Sequence, residues 1–183
     1  MARKKRPAAP GAAADSADIE AMIRVDHAGE YGAVRIYEGQ LAVLRKGAAA
    51  DSIRHMAEQE QHHLKTFDAL VNARRVRPTA LEPLWRVAGF ALGAATALLG
   101  EKAAMACTAA VEEVIDEHYA AQVAALGVRD AELKKTVESF RADEIAHRDE
   151  ALARGAEQAP GYPLLSGAIR SGVRLAIKLS ERI

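Results

Sequence analysis

The stretch Glu60-Gln61-His62-His63 contains a Glu-x-x-His motif, and the same motif returns as Glu144-Ile145-Ala146-His147. Residues three positions apart share one face of an α-helix, so each motif can direct a carboxylate and an imidazole at one point. The neighbours at helical spacing are apolar, which predicts that both faces point into a core. These neighbours are Met56, Leu64 and Phe67 for the first motif, and Val137, Phe140 and Ala151 for the second.

The two motifs belong to an internal repeat. When Glu30 is aligned with Glu112, Tyr37 falls on Tyr119, and the Glu-x-x-His motifs follow after a shift of two residues. Three more identities accompany them: Gln40 with Gln122, Ala42 with Ala124, and Leu44 with Leu126. Two helical hairpins of similar sequence predict a pseudo-twofold four-helix bundle, with its halves at residues 19–75 and 101–155.

Residues that start and stop helices predict five helical segments, at about residues 19–46, 51–75, 84–126, 130–154 and 164–181. Gly47 is expected to end the first helix. Asp51 or Ser52 is expected to cap the second segment, Asp130 is expected to cap the fourth, and Pro163 is expected to open the fifth. The third segment would exceed about 60 Å at 1.5 Å per residue, so a break is expected near Gly93 or Gly100.

Composition limits the class of protein. The 183 residues fit one domain, and only 4% are aromatic, which disfavours a β-rich fold. Basic and acidic residues number 25 each, which disfavours a nucleic-acid binder. The single Cys107 excludes an intramolecular disulfide or a cysteine-based zinc site, and it is expected to be a small packed residue. We therefore expect one all-α domain over residues 19–183.

The N-terminal residues 1–18 are expected to form a disordered basic tail, or the remnant of an organelle transit peptide. Their basic start leads into Ala, Pro and Gly rather than into an apolar secretory signal. The longest uncharged stretch in the middle of the chain, residues 87–100, is shorter than the roughly 20 residues that a spanning helix needs. The protein is therefore expected not to cross a membrane.

Four carboxylates and two imidazoles are expected to meet at one level of the core. A lone Glu-x-x-His motif is more often a solvated helix face, but here each motif is preceded by a glutamate on an apolar face of the previous helix. Two divalent cations balance four buried carboxylates, and these ligand types suit iron or manganese in a ferritin-like di-iron bundle. The candidate ligands are Glu30, Glu60, His63, Glu112, Glu144 and His147.

Several neighbouring residues have two interpretations. His118 and Tyr119 are candidates to support the ligands, and Tyr119 is equally an ordinary core aromatic. Asp143 is a candidate to hydrogen-bond a ligand histidine from another helix, as metal-bound imidazoles usually require, or a surface charge. The remaining histidines are expected to be exposed or capping residues: His27, His55 and His62.

Two further segments are expected to form extra helices at a membrane surface. Residues 85–100 are rich in Ala, Gly and Leu, and the alternative for this segment is a tightly packed core helix. Residues 164–182 form a basic amphipathic helix. Its basic residues recur at every fourth position: Arg170, Arg174, Lys178 and Arg182. This pattern is typical of a helix that binds anionic lipid, and the alternative is a helix packed on the bundle with a solvated basic stripe.

Several stretches resemble the demethoxyubiquinone hydroxylases of ubiquinone biosynthesis. The most specific are Arg24-Val-Asp-His-Ala-Gly-Glu-Tyr-Gly-Ala33 and Met105-Ala-Cys-Thr108 with Ala110-Val-Glu-Glu113. Weaker matches are Glu60-x-x-His-Leu64, His118-Tyr119, Phe140-Arg141 with Glu144-x-x-His147, and Leu179-Ser-Glu-Arg182. The resemblance extends from about residue 19 to the C-terminal end.

The resemblance implies a monooxygenase that hydroxylates the ring of a polyprenyl demethoxybenzoquinone with O₂ and an external reductant such as NADH. It implies two iron ions on the six candidate ligands, with Glu60 and Glu144 bridging. The quinone would reach the metals past residues 90–100 and the basic helix.

The resemblance also implies peripheral attachment to a membrane. The expected location is the cytoplasmic face of a bacterial inner membrane, or the matrix face of the mitochondrial inner membrane. A lipid-binding accessory protein of ubiquinone biosynthesis is an expected partner, and a homo-oligomer is compatible with the family.

Two other classes fit part of the sequence. A ferritin-like ferroxidase or iron-storage protein would share the six ligands but would not need the basic amphipathic helix. A non-catalytic carrier of lipid quinones would use the apolar segments but would not need the buried carboxylates and histidines.

Overall fold

The protein is a helical bundle. This computed structural model describes residues 16–183, which contain helices and no strand. The helices are α1 Ser16–Val43, α2 Ala48–Arg74, α3 Glu82–Leu98, α4 Glu101–Leu126, α5 Ala131–Ala153 and α6 Tyr162–Ser180, with a 3-10 turn at Ala156–Gln158. The all-α prediction is confirmed. The expected N-terminal tail lies outside the described residues, except for its last three positions, which begin α1.

Two antiparallel hairpins make the four-helix core, as the repeat predicts. Helix α1 packs on α2, and α4 packs on α5. One further helix follows each hairpin and packs on the first helix of that hairpin. Helix α3 packs on α1, and α6 packs on α4. Apolar side chains fill both ends of the bundle, around Ile53 and Met56 at one end and around Phe67 and Phe140 at the other.

The predicted break of the long third segment lies at Gly100. Its φ of 111° is the left-handed backbone that glycine adopts readily, and it separates α3 from α4. Gly93 is not a break. It lies inside α3, where an added Cβ would be 1.9 Å from the backbone oxygen of Ile36 on α1. Gly93 therefore allows the two helix backbones to approach each other closely.

Two predicted boundaries are wrong, and two are confirmed. Helix α1 ends earlier than predicted because Gly47, with φ of 103°, precedes α2 and does not close α1. Asp51 and Ser52 therefore lie inside α2, as its fourth and fifth residues, and do not cap it. Asp130 caps α5 by accepting a hydrogen bond from a first-turn N–H, and Pro163 lies in the first turn of α6.

Helix α3 has one packed face and one exposed face. Gly89, Gly93 and Ala97 are buried against the bundle, whereas Val87 and Leu98 are 63% and 75% exposed. The interpretation of this segment as a fully packed core helix is therefore wrong for half of its surface. Within residues 16–183, no helix is both long enough and apolar enough to cross a bilayer.

Candidate metal centre

Six side chains from the four core helices meet in the middle of the bundle. Each is at most 2% exposed, and together they are Glu30 of α1, Glu60 and His63 of α2, Glu112 of α4, and Glu144 and His147 of α5. These are the six residues that the sequence selects as candidate ligands. The two hairpins bring them together because each loop lies about midway between the glutamate of one helix and the motif of the next.

The six residues form two overlapping groups. Within each group, the potential ligand atoms all lie within 4.8 Å of one another. One group contains Glu30, Glu60, His63 and Glu144, and the other contains Glu60, Glu112, Glu144 and His147. Glu60 and Glu144 belong to both groups, whereas each remaining glutamate and histidine belongs to one. The arrangement has the form of two adjacent sites that share two carboxylates.

Both histidines present Nδ1 to the cluster, because Nε2 on the opposite side of each ring contacts a polar side chain. His63 Nε2 lies 3.1 Å from a carboxylate oxygen of Asp143, and His147 Nε2 lies 3.0 Å from Oε1 of Gln59. These oxygens only accept hydrogen bonds, so Nε2 carries a proton, and Nδ1 is the ring atom that would bind a cation after losing any proton of its own. The predicted contact of Asp143 with a cluster histidine is present.

Within the cluster, Nδ1 of His63 lies 3.2 Å from Glu144 and Nδ1 of His147 lies 3.2 Å from Glu60, but the inward-facing atoms have no hydrogen-bond partner outside it. They are both carboxylate oxygens of Glu60 and of Glu144, one oxygen of Glu112, and Nδ1 of His63 and of His147. Buried polar atoms in proteins are normally paired, and an unpaired one costs about 1–3 kcal/mol. A convergent set of unpaired oxygen and imidazole acceptors fits divalent cations, which supply the missing partners.

Two tyrosines connect the halves of the repeat at the cluster. Tyr37 donates a hydrogen bond of 2.6 Å to Glu112, and Tyr119 donates one to Glu30. Both tyrosines are fully buried. Tyr119 therefore supports the cluster, as one of its two interpretations proposed, and so does its repeat equivalent Tyr37.

The pKa shifts of the cluster carboxyls indicate which of them hold protons when no cation is bound. Burial and the neighbouring carboxylates raise the pKa of Glu60 and Glu112 well above the usual range. Burial also acts to raise the pKa of Glu144, but His147 and His63 outweigh it and lower the pKa below the usual value. The cluster would therefore hold extra protons that bound cations would displace.

His118 contacts Asp26 and Gln122, whereas Tyr119 contacts Glu30 of the cluster directly. Its Nε2 is 3.3 Å from Asp26 and 2.9 Å from Gln122, and Gln122 donates a 2.6 Å bond to Asp26. Burial raises the pKa of the Asp26 carboxyl. His118 therefore belongs to a buried polar group next to Tyr119.

The remaining histidines and the cysteine divide between the surface and the core. His55 and His62 are exposed, and Cys107 is fully buried, as predicted. The prediction for His27 is wrong, because His27 is 5% exposed and lies 2.9 Å from a carboxylate oxygen of Asp68 on α2. It helps to join α1 to α2 and caps no helix.

Sequence reasoning missed two residues that hold the cluster. Tyr37 is the repeat equivalent of Tyr119, and Gln59 precedes Glu60 as Asp143 precedes Glu144. The repeat itself was the signal that could have identified both. Once Tyr119 and Asp143 are candidates, the equivalent positions in the first hairpin become candidates for the same contacts.

An apolar groove of about 470 Å³ lies between α3 and α6, above α1 and α4. Its walls include Trp85, Ala88, Gly89 and Leu92 of α3, Gly29, Gly32 and Ile36 of α1, Val111 and Ile115 of α4, and Ile169, Gly172 and Val173 of α6. Trp85 donates a 3.0 Å hydrogen bond to Ser180, which ties α3 to the C-terminal end of α6.

The α3 wall of the groove lies earlier in the chain than predicted. Of the expected stretch 90–100, only Leu92 lines the groove. Gly93, Thr96 and Ala97 are instead buried in the packed face of α3, whereas Trp85, Ala88 and Gly89 face the groove.

The basic stripe of α6 is only partly directed at solvent. Arg170 lies 2.8 Å from Glu113, and Arg174 lies 2.9 Å from Glu117, so both pair with α4. Exposed ion pairs of this kind stabilise a fold by about 0–1 kcal/mol each. Lys178, one turn farther along, is exposed. The first half of the stripe thus anchors α6 to the bundle.

Comparisons with known proteins agree with this architecture. The family described as ubiquinone biosynthesis protein COQ7 matches residues 17–180. The chain is 59% identical to the 3-demethoxyubiquinol 3-hydroxylase of Rhodospirillum rubrum over 175 residues, which is 95% of this chain and 82% of the relative.

Eukaryotic relatives are similar over nearly the same length. The human NADPH-dependent 3-demethoxyubiquinone 3-hydroxylase, mitochondrial, is 52% identical, with 91% of this chain and 79% of the relative covered. The 5-demethoxyubiquinone hydroxylase, mitochondrial, of Saccharomyces cerevisiae is 41% identical, with 93% and 80% covered. With the family matching almost the whole helical domain, this chain belongs to the COQ7 family of ubiquinone biosynthesis proteins.

Proposed function

We propose that this protein hydroxylates the ring of a polyprenyl demethoxybenzoquinone in ubiquinone biosynthesis, with O₂ and an external reductant. One oxygen atom of O₂ enters a ring C–H bond. The other leaves as water, with two electrons from the reductant and two protons. The observation that carries the proposal is the duplicated buried set of Glu and His side chains, in a chain whose relatives are named demethoxyubiquinone hydroxylases.

The six clustered side chains would hold two iron ions. Glu30 with His63, and Glu112 with His147, would be the ligands of single ions, and Glu60 with Glu144 would bridge the pair. Four carboxylates and two neutral imidazoles balance two divalent ions without residual charge. When bound, the iron pair supplies the electron transfer to O₂ that a protein side chain cannot perform.

The surrounding residues fix these ligands. Asp143 and Gln59 keep Nδ1 of each histidine directed into the cluster, and contacts of this kind typically affect metal affinity about 10- to 100-fold. Tyr37 and Tyr119 hold Glu112 and Glu30 from the opposite side. The near-complete burial of the six side chains excludes bulk water from the reacting ring.

The apolar groove would bind the quinone. Its walls are almost entirely aliphatic or glycine, and its volume of about 470 Å³ accommodates a benzoquinone ring with part of a prenyl tail. The groove borders α1 and α4, which carry Glu30 and Glu112, so a ring bound there lies next to the helices of the cluster.

The exposed apolar side chains of α3 and α6 would rest on a membrane. On α3 these are Leu84, Val87, Phe90 and Leu98, with Leu99 just beyond it, and on α6 they are Leu164 and Leu175. These residues lie on or next to the two helices that flank the groove, so a tail could remain in lipid while the ring enters the protein. We infer a peripheral location at the cytoplasmic face of a bacterial inner membrane, or at the matrix face if the chain is mitochondrial.

The identity of the reductant and of the partners belongs to the same proposal. Several curated relatives are named NADPH-dependent, so a reduced nicotinamide, either NADPH or the expected NADH, is the reductant to test first. A lipid-binding accessory protein and a second copy of the chain are partners that the exposed apolar faces of α3 and α6 could accept.

Product analysis tests the function. Protein reconstituted with Fe(II) is mixed with a short-tailed demethoxyquinone, O₂ and NADPH or NADH, and the extracted quinones are separated and weighed by mass spectrometry. The proposal predicts a product that is heavier by one oxygen atom. Glu112→Ala should abolish the product while helical content is retained, because one iron site would lose the carboxylate that belongs to that site alone.

A further inference from the structure

Ile115 lines the apolar groove and lies on the helix face that carries Glu112 of the carboxylate cluster. It packs against two apolar clusters, one beneath the groove and one that contains Tyr119 and Phe140. On α4 it follows Glu112 by three residues and precedes Tyr119 by four, so all three side chains share one face of the helix.

The repeat places a smaller side chain at the equivalent position. Ala33 follows Glu30 by three residues and precedes Tyr37 by four, and it also lines the groove. Ala33 is 3% exposed and offers only a methyl group, whereas Ile115 is a partly buried four-carbon side chain. The equivalent helix positions between groove and cluster therefore carry a small side chain on α1 and a large one on α4.

We propose that Ile115 positions the quinone ring against the metal centre and limits the size of the ring substituents that can reach it. This inference rests on the proposed function. The ring advances along the groove beside Ala33 until Ile115 stops it. The target carbon then lies next to Glu30 and Glu112, while the tail remains in the groove between α3 and α6.

The size of residue 115 should act on ring position more than on quinone binding. Most of the groove wall is formed by α3, α6 and α1, so residue 115 contributes only a small part of the surface that a bound quinone would contact. A displacement of about 1 Å at the reacting atoms can lower a rate about 100-fold without a comparable change in binding.

The groove contains an intrinsic probe of binding. Trp85 is the only tryptophan of the chain, and it lines the groove, so quenching of its fluorescence by an added quinone measures occupancy. Binding can thus be measured anaerobically on the iron-containing protein, separately from turnover. The same preparations are checked for two irons per chain and for unchanged helical content.

The test compares Ile115→Phe and Ile115→Ala with Val173→Phe, which adds similar bulk to the α6 wall. We expect Ile115→Phe to lower kcat about 100-fold while Kd from Trp85 quenching stays within about threefold. We expect Val173→Phe to raise Kd about tenfold and to change kcat much less. We expect Ile115→Ala to favour a larger substituent. The kcat/KM for an ethoxy analogue, divided by the kcat/KM for the methoxy quinone, should rise about tenfold.

Three outcomes would overturn the inference. If Ile115→Phe and Val173→Phe change Kd and kcat in the same way, Ile115 is only one more residue of the groove wall. If Ile115→Phe fails to fold, Ile115→Ala decides, and an unchanged substituent preference in that variant rejects the inference. If native protein binds the quinone and never hydroxylates it, the proposed function itself fails, and the inference fails with it.

Discussion

The hydroxyl of Tyr37 on α1 donates a 2.6 Å hydrogen bond to Glu112 on α4. The second half of the repeat makes the equivalent contact in the opposite direction: Tyr119 on α4 donates a hydrogen bond to Glu30 on α1. Each tyrosine therefore holds a carboxylate of the other hairpin, and the pair connects α1 to α4 at the candidate metal centre. The orientation of Glu30 and Glu112 therefore depends on both halves of the fold.

Tyr37→Phe should destabilise the iron-containing protein. The variant keeps the ring but leaves a buried oxygen of Glu112 without its donor, which costs about 1–3 kcal/mol of unfolding free energy. Chemical unfolding monitored by circular dichroism measures the difference. Tyr31→Phe is the matched control, because the ring of Tyr31 contacts Arg35 and phenylalanine retains that contact. Equal stabilities of the two variants would contradict this role of Tyr37.

The iron-free protein should lose stability as pH rises. Burial raises the pKa of Glu60 and Glu112, so above about pH 4.5 the unfolded chain releases protons that the folded chain retains. Burial lowers the pKa of His63, but Glu144 and Glu30 outweigh it and raise the value to about 10. The contribution of His63 is full below about pH 6.5 and is lost as pH rises towards 10.

Glu60, Glu112 and His63 all bind more protons in the folded state than in the unfolded state. The unfolding free energy therefore decreases as pH rises from about 4.5 towards 10. Urea unfolding of iron-free protein should show a lower free energy at about pH 9 than at about pH 6. The iron-containing protein should show a smaller difference, because the cations replace the protons. An iron-free protein that is equally stable at both values would contradict the expected protonation of the cluster.

Gly172→Leu should block the groove. A Cβ at Gly172 meets nothing within 4 Å, and the residue lines the groove, so a leucine side chain there would occupy space meant for the quinone. We expect KM for a long-tailed quinone to rise about tenfold or more, with iron content unchanged. Gly167→Leu is the control on the same helix, because it also meets nothing within 4 Å but lies outside the groove wall. Identical KM values for both variants would exclude this groove as the binding site.

Leu98→Asp combined with Leu164→Asp should weaken binding to lipid vesicles. The two side chains are 75% and 83% exposed on α3 and α6, and replacing them removes apolar area that would enter the bilayer. We expect the partition coefficient to fall roughly tenfold or more. Val128→Asp changes an even more exposed side chain in the loop after α4, and this variant should bind vesicles like native protein. Unchanged partitioning of the double variant would place the membrane surface elsewhere.

Most of the metal centre was predictable because its information is local. The spacing of Glu60 and His63, like that of Glu144 and His147, fixes two ligands on one helical face, and the apolar neighbours orient that face inward. The repeat then places Glu30 and Glu112 at the same level. Hairpin geometry requires only short loops, so these inferences do not depend on details of helix packing.

The surroundings of α6 were not predictable in the same way. The basic stripe is visible in the sequence, but its contacts depend on the rotation of the helix about its own axis. Arg170 and Arg174 turn towards Glu113 and Glu117 because the apolar side of α6 covers the groove. Similarly, the wall formed by Trp85 and Gly89 follows from the close glycine contacts between α3 and α1.

The central claim is that this chain uses O₂ to hydroxylate a quinone, and isotope labelling in a single turnover tests it most directly. Protein carrying two Fe(II) ions is mixed with demethoxyquinone and ¹⁸O₂, and the mass of the extracted quinone is measured. The account predicts one ¹⁸O atom in the product, formed by native protein and absent with Glu112→Ala. Oxidation of Fe(II) at the same rate with and without quinone, with no label in the quinone, would contradict the account and favour a ferroxidase.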